Sequence, residues 1–129
     1  MINQIQKFEK NALALELVDS FTEADALLIE RLFEEKLSQG YKHINILIKV
    51  KDISVIKDME LNGFIKGELW GIKHFGKLGK CAVVSHSDFI ETVVKIENKF
   101  LHLFNSALEE KYFDHEELDE ALKFITPEE

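Results

Sequence analysis

Residues 12 to 18 alternate along the chain so that Leu13, Leu15 and Leu17 fall on one face of an extended segment. With residues 2 to 8 and the short Glu9-Lys10-Asn11 connection, they predict an opening hairpin. The period then changes. Thr22 followed by Asp25 makes a capping-box pattern with a short acid in place of Glu, and Leu28, Leu32, Phe33 and Leu37 keep helical spacing as far as Gly40. A helix over 22–39 follows from that. Ile44, Ile46, Ile48 and Val50 alternate again, and their β-branched content suits a central strand. A helix over about 62–78 and a short strand from Lys80 to Val84, apolar on both faces, come next. Ser87 or Asp88 then caps a helix over about 88–104, with Phe89, Val93, Ile96, Phe100 and Phe104 on one stripe. Residues 108–113 read as the last strand, and Asp114 with Glu117 opens a final helix carrying Leu118, Ala121, Leu122 and Ile125.

The predicted order is therefore β-β-α-β-α-β-α-β-α. Strands alternating with helices need right-handed crossovers, hence a mostly parallel sheet, while the opening hairpin forces the first strand to run antiparallel at an edge. The expectation is an α/β fold with a mixed, mostly parallel five-stranded sheet and about four helices. No repeat, low-complexity stretch or Pro/Gly/Ser linker divides it, so residues 1–129 read as one domain.

Composition adds limits rather than an identity. With 46% hydrophobic and 31% charged residues, the chain can build a core and cover it, which excludes the disordered class. A net charge of −8 argues against binding nucleic acid, because phosphate affinity needs clustered cations. The charge is uneven: residues 41–80 sum to +4, and every cation there is a lysine, whereas residues 105–129 sum to −7. The lysine segment either steers an anionic partner or is a solvated face. No apolar run is long enough to span a membrane and the N-terminus lacks a signal-peptide centre, so the expected location is the cytoplasm. Cys81, the one cysteine, excludes an intrachain disulfide and reads as a strand residue, not a reactive thiol.

Tests for chemistry are negative. Gly71, Gly76 and Lys77 match the start of a phosphate loop, but Leu78 replaces the hydroxyl that would hold the metal, and no strand precedes the match. The histidines at 43, 74, 86, 102 and 115 show no spacing that places two imidazoles on one helix face, so no metal set is expected. Ser85-His86-Ser87-Asp88 is explained better by helix capping than by a relay. Asp114, Glu116, Glu117, Asp119 and Glu120 fit the dipole of a helix's first turn better than a carboxylate site. No cofactor and no enzymatic activity are expected.

The second and third predicted helices carry the most unusual patterns. Leu61, Ile65, Leu69 and Ile72 share one side of the second, facing the sheet, while Trp70 falls on the other side among Lys66, Lys73, His74 and Lys77. An indole bordered by cations on an outer surface calls for something to cover it, either a partner or the helix's own neighbours. Gly63, Gly67 and Gly71 repeat every four residues in the same stretch and lower its helical propensity. On the third helix, Ile90, Val94 and Leu101 add a second apolar stripe beside the first. That stripe can pack on the second helix, line a hydrophobic pocket, or meet a second copy of the chain in a homodimer.

Glu68-Leu69-Trp70, then Lys73-His74-Phe75, then Lys80-Cys81-Ala82-Val83-Val84 and the aromatic Phe89 together resemble the SpoIIAA-like branch of the STAS superfamily, across most of the chain. The resemblance implies a STAS-type fold, distantly similar to the lipid-binding Sec14 fold, and a non-enzymatic regulatory or protein-binding role. In STAS proteins that antagonise anti-sigma factors, a phosphorylatable serine follows an aspartate after the third strand. Here the stretch is Lys51-Asp52-Ile53-Ser54, with one residue intervening, which leaves Ser54 as the candidate phosphosite, or else a loop hydroxyl bonded to nearby backbone. Two functions stay open. One is docking of a protein partner through the second helix, with Lys66, Trp70, Lys73, His74 and Lys77 as the contact set. The other is carriage of a small apolar or lipid-like anion between the second and third helices, beside Ile90, Val94 and Leu101.

Overall fold

The structure, a computed structural model, describes residues 2–18, 22–50, 75–86, 91, 92, 95 and 109–126. Strands β1 (Ile2–Lys7) and β2 (Ala12–Leu17) form the expected antiparallel hairpin. From β2 onward the strands β3 (Ile44–Val50), β4 (Leu78–Ser85) and β5 (Glu109–Asp114) pair parallel, giving one sheet in the order β1-β2-β3-β4-β5. The antiparallel strand stands at the edge, as the hairpin requires.

Both faces of the sheet are covered. Leu13, Leu15 and Leu17 of β2 join Ile44, Ile46 and Val50 of β3 beneath Ala26, Ile29 and Phe33 of helix α1 (Glu23–Ser38). Positions 26, 29 and 33 are one helical face; of the stripe that predicts the helix, Phe33 is fully buried there, Leu32 and Leu37 pack at its margin, and Leu28 is only half-buried. The opposite face of the sheet is built from Ala12, Ala14, Leu47, Ala82, Val84 and Phe113, against Ala121 and Ile125 of the C-terminal helix (Leu118–Ile125). Alternation alone makes β2 a one-faced strand, yet Ala12 and Ala14 are as buried as the leucines between them. Small side chains on that face let the C-terminal helix sit close over the sheet.

Helix α1 begins where its capping box lies. The Thr22 hydroxyl accepts the Asp25 N–H at 3.2 Å, and Asp25 Oδ2 accepts the Thr22 N–H at 3.0 Å. Burial raises the Asp25 carboxyl, but lowering contributions led by the Thr22 backbone hydrogen bond outweigh it and hold the group below its ordinary value. The helix ends at Gly40, whose φ of 96° belongs to the left-handed region and whose N–H returns to the Leu37 carbonyl at 3.0 Å.

Three elements depart from the sequence expectation. First, two α-helices occur among the described residues, not about four, since the second and third predicted helices lie largely at positions outside them. Residues 91, 92 and 95 are helical, with a Glu91–Lys95 ion pair at 3.9 Å across one turn. Second, the helix expected as far as 78 does not extend that far. Phe75–Lys77 is a 3-10 turn, and Leu78 already pairs with Ile44 in the parallel ladder, two residues ahead of the expected start at Lys80. Third, the Asp114 and Glu117 box is present but caps a 3-10 turn, His115–Glu117, from which the C-terminal helix continues.

Two bulges set the register. In β1 one extra residue, Ile5, lies between Gln4, paired with Leu15, and Gln6, paired with Ala14. Alternation alone puts Ile2 on the α1 side and Ile5 on the other, and the extra residue shifts the phase after it, so that Gln6 lies opposite Ala14 and Lys7 opposite Leu13. In β4 Gly79 and Lys80 together oppose Asn45, which lies between Ile44, paired with Leu78, and Ile46, paired with Cys81. The unpaired Lys80 N–H is met by the Asn45 side-chain oxygen at 2.9 Å. Asn45 Nδ2 donates to the Ile125 carbonyl at 2.9 Å, so one side chain ties β3, β4 and the end of the C-terminal helix. Among the described residues, no helix is long and apolar enough to cross a membrane.

Candidate functional site

In open parallel sheets, ligands gather at the carboxyl ends of the strands, because the loops that follow can vary while the strands hold position. Here the carboxyl ends of β4 and β5 bring together His86, Asp114 and His115. The register pairs Ser85 with Asp114, so His86, the next residue after β4, lies beside the last residue of β5. Tyr112 reinforces this end of the ladder, its hydroxyl donating to the Ser85 carbonyl at 3.0 Å.

The carboxylate lies between two imidazoles. Asp114 Oδ2 is 2.9 Å from His86 Nδ1, and Oδ1 is 3.1 Å from His115 Nδ1. An ionised carboxylate only accepts, so in this arrangement a neutral His86 ring carries its proton on Nδ1. The two rings meet edge to face, with centroids 5.0 Å apart. The Asp114 carboxyl is held below the usual carboxylate range, first by the His86 hydrogen bond and then by the Glu116 N–H. Its main chain is fixed as well: the Asp114 N–H donates to Glu117 Oε1 at 3.0 Å, completing the capping box.

Of the residues singled out from the sequence, Lys77 lies in the described part. It is exposed, in the 3-10 turn at the amino end of β4, the end of the strand opposite His86. Lys66, Trp70, Lys73, His74, Ile90, Val94, Leu101 and Ser54 lie outside the described residues. A different feature, an open groove of about 320 Å³, runs between β1 and the end of α1 past Gln4, Gln6, Leu32, Lys36 and Gln39. The Lys36 ammonium there donates to the Phe8 carbonyl, and burial lowers its pKa.

Sequence reasoning passed over the His86, Asp114 and His115 group because it looked for histidines along one helix. His86 and Asp114 are 28 residues apart and meet only through strand pairing.

Cys81 is set against the α1 side of the core, across the ladder from Glu110. Burial first, and the Glu110 carboxylate second, push its thiol up to about 12 from an ordinary 9.0. Three units remove about a thousandfold of thiolate, and the higher intrinsic nucleophilicity of a more basic thiolate recovers part of it. In a dithionitrobenzoate assay near pH 8, native Cys81 should therefore react at least about tenfold more slowly than the urea-unfolded chain. Equal rates would show that the thiol is not shielded.

A family model described as SpoIIAA-like matches residues 12–126. Among solved structures, an uncharacterized protein of the DUF3478 family with a SpoIIAA-like fold, from Shewanella loihica, superposes with a TM-score of 0.68. It is 21% identical, and the alignment covers 98% of this chain and 93% of that one, a likeness that speaks for the fold. No curated protein matches the chain.

Proposed function

The chain belongs to the SpoIIAA-like family, and from that membership we propose that it is a non-enzymatic regulatory or binding module that docks a protein partner through the segment from Lys66 to Lys77. Family membership is the observation that carries the general reading. The finer reading draws support from the sequence, where the single tryptophan, Trp70, sits at helical spacing among Lys66, Lys73 and His74, with Lys77 in the 3-10 turn before β4. Aromatic anchors ringed by polar groups are the residue types that dominate protein interfaces. An exposed Lys77 is consistent with such a surface.

The test is affinity capture with wild type, with Trp70→Ala plus Lys73→Glu, and with Lys7→Glu as a charge-matched change elsewhere. Circular dichroism should show the same fold in all three. A partner held by wild type and by the Lys7 variant should be recovered at least about tenfold less by the double variant, the scale of one interface anchor. Equal recovery of that partner by the double variant would remove the docking surface.

A further inference from the structure

We propose that His86, Asp114 and His115 form a binding site for a divalent d-block cation of zinc type, distinct from the docking segment. Each of the three offers one ligand atom, and these atoms lie within 4.8 Å of one another. Zinc takes imidazole nitrogen and carboxylate oxygen at about 2.0 to 2.2 Å, so the edges of its ligand tetrahedron are about 3.3 Å. The distance from His86 Nδ1 to Asp114 Oδ2, 2.9 Å, is already close to that edge, while His115 Nδ1 lies 3.1 Å from the other carboxylate oxygen, Oδ1. The imidazole-to-imidazole gap closes by rotation of the His86 and His115 rings, whose side chains are 76% and 50% exposed and therefore have room to turn.

The donor set selects the class of ion. Two imidazoles with one carboxylate suit zinc and its neighbours in the first transition row, whereas magnesium and calcium want oxygen alone. Binding through Nδ1 needs each neutral ring to carry its proton on Nε2, which for His86 is a tautomer exchange that releases no proton. The ion then takes the place of the His86 Nδ1–H hydrogen bond that now holds the carboxylate.

The frame is rigid on one side and adaptable on the other. Asp114 is pinned by the β4–β5 ladder and by its own capping box, with the Glu116 N–H on its carboxylate at 3.3 Å. Such outer hydrogen bonds orient a ligating carboxylate before the ion arrives. His115 follows directly in the chain, and His86 comes across from β4. Three protein ligands leave a fourth tetrahedral position for water or for a donor group from another molecule. The site thus has the form of an open centre, not a closed structural one.

Calorimetric titration of the full chain with zinc chloride tests this. Wild type should bind one ion per chain, and His86→Ala or His115→Ala should each weaken binding at least about tenfold, the double variant at least about a hundredfold. His43→Gln, which changes a histidine outside the site, should bind as wild type does. Cobalt should give the intense visible bands of a tetrahedral centre in wild type and lose them in the double variant. Because both histidines are exposed, the variants should keep the wild-type circular dichroism. No saturable binding by wild type, the same affinity in the double variant, or equal competition by magnesium would overturn the site. The docking segment contains none of these residues, so failure here and failure of the partner test are separate results.

Discussion

Replacing Phe33 with alanine should cost the fold about 3 to 5 kcal/mol, the range for removing a large aromatic side chain from a filled core. Phe33 is among the largest fully buried side chains and lies in the cluster that joins α1 to β2 and β3. Its ring fills the space above the leucines of β2, and neither the sheet nor a sixteen-residue helix can collapse far enough to close the hole. A domain of this size has only about 5 to 15 kcal/mol of stability in total, so a large part of the molecules should lose native structure under mild denaturant. Urea unfolding should show a lower midpoint with an unchanged slope. Leu27→Ala is the contrast: that side chain is 49% exposed, and its loss should cost under about 0.5 kcal/mol. A Phe33→Ala cost as small as that of Leu27→Ala would mean that α1 is not anchored as described.

Gly79→Ala should cost about 2 to 4 kcal/mol, although it adds a single methyl group. A Cβ at position 79 would meet Asn45 Oδ1 at 2.5 Å, a distance that real Cβ contacts do not adopt. Asn45 cannot swing away without loss. Its oxygen accepts the Lys80 N–H of the bulge, and its nitrogen donates to the Ile125 carbonyl. Moving it leaves partly buried groups unsatisfied, at about 1 to 3 kcal/mol each. Asn45→Ala should therefore cost a comparable amount, and the Gly79→Ala, Asn45→Ala double variant should cost clearly less than the two single costs together, because both remove the same clamp. Chemical denaturation of the four proteins closes this cycle. Strict additivity would mean that the two residues are not coupled and that the bulge is held by something else.

These two sites differ in how far they can be read along the chain. Phe33 belongs to the helical stripe with Leu28, Leu32 and Leu37, and that spacing assigns it to a buried face, where the structure adds Ala26 and Ile29. Gly79 looks like one more glycine in a glycine-rich stretch. Its importance comes from a side chain 34 positions earlier, brought alongside by strand pairing.

The same division runs through the whole molecule. Contacts within about four residues were already determined by the order of amino acids: the Thr22 and Asp25 box, the Asp114 and Glu117 box, the stop at Gly40, and the alternation of β2 and β3. Local hydrogen bonding and side-chain periodicity act over that range, so the element order and the mixed sheet follow from them. Tertiary structure alone decided the bulges at Ile5 and Gly79, the burial of Ala12 and Ala14 on the sheet face opposite α1, and the meeting of His86 with Asp114 and His115. Each depends on which residue lies opposite which across two strands. That register is chosen by the packing of the whole sheet, and a shift of one residue would turn every side chain to the other face.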